Sequence, residues 1–217
     1  MIKLTPRQKA IVDFLPRCGC VADIGCDHGK LGAYILLSGL SEKVISCDIS
    51  APSLQKAKNL AWELRLNNME FRCGDGMKVL KNGEVDCAVI AGMGGNAILD
   101  IISMAPSRPE YIIAQPMNGI KGLKASVGDC GYRIDDEAVV KEDRRFYRVL
   151  LFKKGKGCHT HEEIAFPMPA VKRCDEACRE YLEHRLSIYM EAVEKAEDKL
   201  ALNNEINLIR EILNWFK

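Results

Sequence analysis

The chain has 217 residues, 47% of them hydrophobic and 28% charged, with a formal net charge of +1. That balance excludes a disordered chain, a collagen-like repeat and a supercharged binder, and the length allows one full domain with a modest addition. The charge is unevenly spread: residues 1–157 carry 23 basic and 18 acidic side chains, residues 158–217 carry 8 and 12, so only the first part suits a polyanion.

Thr5 and Pro6 predict the start of a short amphipathic helix, with no apolar signal core. Apolar and helical stretches then alternate from Val21 to Phe152. Strands are predicted at Val21–Ile24, Val44–Ile49, Met69–Arg72, Val85–Ala91 and Tyr111–Gln115. Helices are predicted over 29–38, over Pro52–Leu66, from Asn96 (read as a cap) and over 120–130. Tyr132–Val140 and Arg145–Phe152 read as a hairpin. This order predicts an α/β fold, a Rossmann-like seven-stranded sheet with one reversed strand and helices on both faces. Ligands of such sheets sit beyond the C-terminal strand ends.

Beyond Gly155 the pattern changes, which divides the chain into 1–157 and 158–217. Leu182, Leu186, Tyr189, Val193, Ala196 and Leu200 form a heptad seam, Asn203-Asn204 reads as its break, and Ile206, Ile209, Leu213 and Phe216 continue it. The expected product is a protruding antiparallel helical hairpin, a coiled coil. No run approaches the ~20 apolar residues of a membrane span. The expectation is a cytoplasmic protein with no membrane contact. The ten cysteines include no C-x-x-C pair and read as reduced thiols. The group Cys158, His159, His161, Cys174 and Cys178 matches no common zinc spacing, so no metal is expected.

The residues with chemistry stand just after the predicted strands. Gly25, Gly29 and Gly32 form a glycine-rich turn, but not with dinucleotide spacing, and Asp27 stands inside it. A carboxylate there repels a pyrophosphate and suits an amine and a sulfonium, which points from NAD towards S-adenosylmethionine. Asp48 is placed to accept from ribose hydroxyls, and Asp75, between Gly74 and Gly76, from an adenine amino group. Each alone has an ordinary turn or cap reading.

Asp23-Ile24-Gly25-Cys26-Asp27-His28-Gly29, Asp48, Gly74-Asp75-Gly76 and Gly92-Met93-Gly94-Gly95 resemble the class I S-adenosylmethionine-dependent methyltransferases. With the Ala114-Gln115-Pro116-Met117 segment and the helical tail, the chain looks like the bacterial tRNA (adenine-22-N1) methyltransferase family over essentially its whole length. The general class usually has glycine where Asp27 stands; here the chain follows the narrower family. The resemblance implies methylation of N1 of adenosine 22 in the D-arm region of tRNA, with S-adenosyl-L-methionine as cofactor. It implies a cofactor site at Asp23, Gly25, Cys26, Gly29, Asp48, Ile49, Asp75, Gly76, Gly92 and Met93, with Asp27 and His28 as catalytic candidates.

Asp27 has two open roles, support of the cationic base formed by attack of N1 and contact with the methionine amine. His28 can bond the base or orient Asp27, or sit exposed at a helix start. Met93 packs on the base or in the core, and Gln115 reaches the base edge or completes a turn. Gly92–Gly95 lacks the proline and aromatic residue of amino-group methyltransferases. Lys3, Arg7, Lys9, Arg144, Arg145, Arg148, Lys153, Lys154 and Lys156 are RNA-contact candidates. A monomer is expected. The competing readings are a methyltransferase of another RNA site or a small molecule, and a non-catalytic RNA-binding module.

Overall fold

The structure, a computed structural model, describes residues 2–106, 108–157, 159–196 and 199–216. The first helix, α1 (Pro6–Asp13), is closed by a reciprocal capping box between Thr5 and Gln8, with Pro6 in its first turn. Strand and helix then alternate through β1 (Cys18–Ile24), α2 (Lys30–Leu37), β2 (Ser41–Asp48), α3 (Ala51–Glu63), β3 (Met69–Cys73), β4 (Cys87–Gly94), α4 (Gly95–Ser103), β5 (Tyr111–Asn118) and α5 (Ile120–Ser126). The hairpin β6 (Tyr132–Glu142) and β7 (Arg145–Lys154) follows. These strands form one seven-stranded sheet in the order β3-β2-β1-β4-β5-β7-β6, with β7 antiparallel to both neighbours.

Alternation along the central strands sorts their side chains to two faces. Val21, Val44, Cys87, Val89 and Ile113 pack with Ile11 and Val12 of α1 and Leu31 and Ile35 of α2. Ala22, Ile24, Ile45, Ala88, Ile90 and Ile112 pack with Ile98 and Ile102 of α4 and Leu123 of α5. Both faces are covered, as a parallel sheet requires.

Several boundaries differ from expectation, strand ends among them for reasons of pairing. β1 starts at Cys18 because Cys18 pairs with Ser41 of β2. β4 and β5 run on through Gly92 and Pro116, because register shifts around Met93 let Met93 pair opposite Pro116 without a regular ladder bond. α4 begins at Gly95 with Gly94 as its cap, so Asn96 lies inside the helix and is not its cap.

The tail holds two short helices, α6 (His161–Ala165) and α7 (Met168–Lys172), then α8 (Glu176–Lys195) and α9 (Leu200–Leu213). Cys174 Sγ bonds the Trp215 carbonyl and Arg185 bonds Glu205, so the last helix runs back along the one before it. The break falls at Ala196, which is extended, and not at Asn203-Asn204, which lie inside α9 on its exposed side. Asparagine costs only a few tenths of a kcal/mol in a helix, and burial of Ile206 and Ile209 on the opposite side outweighs it. The hairpin is docked at its base: Leu182, Ile209 and Ile212 share a core with Val139 of β6 and Phe166. Burial falls along the seam until Leu200 is 70% exposed.

The docked base covers a buried ion cluster. Glu137 receives Lys124 Nζ at 2.6 Å and Arg148 Nε, with all three side chains almost fully buried. Lys124 also donates to the Phe166 carbonyl at 2.9 Å, and Arg173 to the Glu137 carbonyl at 2.7 Å. Burial pulls the Lys124 ammonium down to about 8, against the pull of Glu137. Arg148 is therefore a buried partner of Glu137, and its expectation as an RNA contact is corrected. The other eight cations of that group are not tied up in this cluster.

Among the described residues no group of three or more His, Cys, Asp or Glu is placed to hold a metal ion, and no helix is long and apolar enough to cross a membrane. Cys158 of the suspected cluster lies outside the described residues. His159 Nε2 accepts from the Ile134 amide at 3.2 Å, and Cys178 is buried in the tail core.

Candidate functional site

The turn after β1 is built by backbone bonds to β2. The amides of Gly25 and Cys26 both donate to the Cys47 carbonyl, at 2.8 and 3.0 Å. Gly25 has φ +72°, a conformation that favours glycine, and a Cβ there would lie 2.4 Å from Met93 Cε, so the tip of Met93 would have to move. Met93 is thus partly buried against the core and the turn. Asp27 is a non-glycine residue with φ +47°. Its amide is held by Asp48 Oδ2 at 3.0 Å, while Asp48 Oδ1 takes the Ser50 amide at 2.8 Å. Asp48 therefore shapes the turn and keeps lone pairs for a ligand, since each carboxylate oxygen accepts more than one bond.

The Asp27 side chain stands out from the turn, 72% exposed, with His28 Nε2 3.6 Å from its Oδ1. Lys56 of α3 brings its Nζ to 3.1 Å from the same His28 nitrogen. Sequence reasoning did not single out Lys56. The only signal was a position one helical turn into α3.

Beneath the turn lies Asp23, 4% exposed. Burial, and to a lesser degree Asp48, push its carboxyl up to about 7 against a bond from the Gly32 backbone. Its Oδ2 has no hydrogen-bond partner among the described residues. Burial also pushes the Cys26 thiol up, leaving it a neutral wall.

Asp23, Gly25, Cys26, Asp27, His28 and Gly92 line one cavity of about 430 Å³ at the ends of β1 and β4. Gly92 has φ +77° and nothing within 4 Å of where a Cβ would stand, so its backbone is open to a ligand. The amide of Gly92 donates to Oε1 of Gln115 at 3.2 Å. Gln115 is fully buried and so is a support behind the cavity, not an exposed reader of a base edge. Arg7 and Ile11 of α1 and Lys30 of α2 line it too; the sequence had marked Arg7 only as one surface cation among several.

The remaining expected residues stand around this cavity. Gly29 caps α2 in the left-handed conformation and faces Ala57, not the cavity. Ile49, 75% exposed, follows Asp48, and its carbonyl accepts from Cys73 Sγ at the end of β3. Asp75 pairs with Lys78 Nζ at 2.6 Å and, with Met77 and Ile101, lines a second cavity of about 390 Å³. Gly76 has φ +57° and faces Ile101. The β1–β4 cavity thus gathers six of the twelve expected site residues. Asp48 lies against it, Met93 behind it, and Ile49, Asp75 and Gly76 at the neighbouring strand ends.

The arrangement offers two carboxylates, Asp23 with one buried oxygen unpartnered and Asp27 exposed, and two cations, Arg7 and Lys30, on one lining. The amides of Gly25, Cys26, Asp27 and Gly29 are already committed to Cys47, Asp48 and Cys26, and the exposed Asp27 carboxylate opposes a phosphate.

Residues 4–150 match the family model described as a methyltransferase domain. Over 158 residues the chain is 31% identical to the tRNA (adenine(22)-N(1))-methyltransferase of Bacillus subtilis, a match covering 71% of this chain and 66% of that protein. The chain therefore matches just under two thirds of that relative's length. The crystal structure of the B. subtilis m1A22 tRNA methyltransferase is similar with a TM-score of 0.78 at 25% identity, covering 100% of this chain and 98% of that one. A Mycoplasma capricolum structure in complex with S-adenosyl-homocysteine is similar with a TM-score of 0.85 at 22% identity, covering 99% of each chain.

Proposed function

Because this chain belongs to the methyltransferase domain family, we propose that it transfers the methyl group of S-adenosyl-L-methionine to N1 of adenosine 22 in tRNA. The observation that carries the reading is the acidic, phosphate-averse cavity between the Asp23–His28 turn and Gly92. The B. subtilis relative supports the choice of substrate.

The cavity fits the cofactor by its size and donor set: about 430 Å³ is within the range of small-molecule sites, and Asp23 Oδ2 is buried and lacks a partner. When bound, S-adenosyl-L-methionine supplies an electrophilic methyl group on a sulfonium. Asp23 faces its ammonium and sulfonium charges. Asp48 accepts from the ribose hydroxyls with the lone pairs its two backbone bonds leave free. Ile49 offers an apolar face to the adenine, and Asp75 accepts from its amino group once it swings from Lys78.

Adenine N1 has an in-plane lone pair, so no base has to remove a proton before attack. The chain's work is alignment and support for positive charge developing on the ring. Asp27 and His28, exposed at the cavity lip, provide that support. The open backbone at Gly92 leaves room for a flat base, and without a proline-aromatic motif the site disfavours an exocyclic amine. N1 lies on the pairing edge, so the adenine must leave its stack first. In this reading residues 1–157 hold the cofactor and supply the cations that attract RNA. Residues 158–217 position the folded tRNA by shape, as a monomer acting in the cytoplasm.

The test is nucleoside mass spectrometry after incubating unmodified tRNA, protein and cofactor. The expected product is N1-methyladenosine, lost when adenosine 22 is replaced by guanosine. Product at another position, or N6-methyladenosine, would refute the assignment.

A further inference from the structure

Arg7 is held in place more firmly than a surface cation needs. Its backbone amide donates to Glu142 Oε2 at 3.0 Å, and its guanidinium stacks over Tyr147, 5.0 Å from the ring centroid. Nη1 reaches Gln115 Oε1 at 3.2 Å and Met117 Sδ at 3.4 Å. The same Gln115 oxygen takes the Gly92 amide, so one buried amide joins α1 to the β4 turn. Nε2 of Gln115 donates to the Pro116 carbonyl at 3.0 Å, which fixes which way the amide points.

The hydrogen-bond and ring partners of the guanidinium, Gln115, Met117 and Tyr147, are neutral, and Glu142 feels its charge without a direct side-chain bond to it. Among the described residues Arg7 makes no ion pair, and its remaining N–H donors are uncommitted while it lines the same cavity as Asp23 and Asp27. A glutamate at 115 would give the same reach but cancel the charge. A glutamine sets the geometry and leaves the full charge for a ligand. A cavity lined by the carboxylates of Asp23 and Asp27 and by two cations, Lys30 and the fixed guanidinium of Arg7, suits a zwitterion with its ammonium and carboxylate on the same carbon.

We propose that Arg7 binds the carboxylate of the cofactor's methionine moiety, and that Gln115 is a positioning residue that aims Arg7 without neutralising it. This rests on the reading of the cavity as an S-adenosyl-L-methionine site. It separates Arg7 from the exposed Lys3 and Lys9 of the same segment, which remain free to meet RNA.

The test is calorimetric titration of full-length wild type, Arg7→Ala and Gln115→Glu with S-adenosyl-L-methionine and with its decarboxylated analogue. Both variants are expected to lose about 10- to 150-fold in affinity for the former, the range of a charge-assisted hydrogen bond, with analogue affinity within about twofold of wild type. Binding of the analogue also reports that each variant is folded. Equal losses for both ligands, no loss for either, or a loss confined to tRNA affinity would overturn the assignment of Arg7. A wild type that binds neither ligand would overturn the reading of the cavity, and the inference with it.

Discussion

Glu137 and the acids at the β1 turn are both held at the ends or edges of one sheet, yet they are treated in opposite ways. Glu137 is buried with two cations on its carboxylate and a third on its carbonyl. Among the described residues the buried Asp23 forms no ion pair and one of its oxygens has no partner, and Asp27 projects from the turn. A carboxylate that the chain itself compensates holds the structure together. One that the chain leaves uncompensated carries a cost in the free protein, which a positively charged ligand removes. The edge cluster fastens the helical tail; in the proposed function the turn receives the cofactor.

Breaking the compensated side should cost most. Glu137→Ala leaves Lys124 and Arg148 buried without their anion, and the expected loss is about 3–5 kcal/mol of stability, read as a lower midpoint in denaturant unfolding. The same logic makes a chain ending near Gly157 less stable than the intact protein, since Lys124 loses the Phe166 carbonyl and Glu137 loses Arg173. An unchanged midpoint for Glu137→Ala would dissolve the contrast.

On the uncompensated side, Asp27→Asn keeps the shape of the turn and removes the charge. Loss of a preorganised electrostatic contact should lower turnover about 10²- to 10³-fold with cofactor affinity nearly unchanged, measured by single-turnover methylation beside calorimetry. If affinity falls instead, Asp27 holds the methionine amine. Asp48→Ala should weaken cofactor binding about 10- to 150-fold, from about 1.5–3 kcal/mol for a bond to a charged group, with some slackening of the turn whose Asp27 amide it holds.

The smallest effect is a slope in pH. The folded carboxyl of Asp23 titrates near 7, above its ordinary value of 3.8. The native state therefore holds a proton that the unfolded state has released, and the contribution to stability is full below about 3.8 and lost as pH rises to about 7. Asp23→Asn should flatten that part of the ligand-free stability profile. A profile identical to wild type would remove Asp23 from the contrast.

The two regions were not equally legible in the sequence. The turn, Asp48 and the alternation of strands and helices follow from local patterns, glycines and acids after apolar runs. The edge cluster does not, because Lys124, Glu137 and Arg148 read as surface charges until the chain brings three separate elements together. Arg148 was for that reason misread as an RNA contact. Gln115 and Arg7 are 108 residues apart, so no spacing rule joins them. The run of β4 through glycine and of β5 through Pro116 depends on a register shift that only pairing reveals. Asn203-Asn204 misled because a weak local preference yields to burial on the other side of the same helix.

The central claim is that the uncompensated acids at the β1 turn form a site for a cation-bearing adenosine cofactor. Its most direct test is calorimetric titration of the full-length protein with S-adenosyl-L-methionine and with NAD, each at pH 6 and pH 8. The expected result is one site for S-adenosyl-L-methionine, tighter at pH 8 where Asp23 is ionised, and no heat from NAD. Binding of NAD, or S-adenosyl-L-methionine affinity that falls as pH rises, would contradict it.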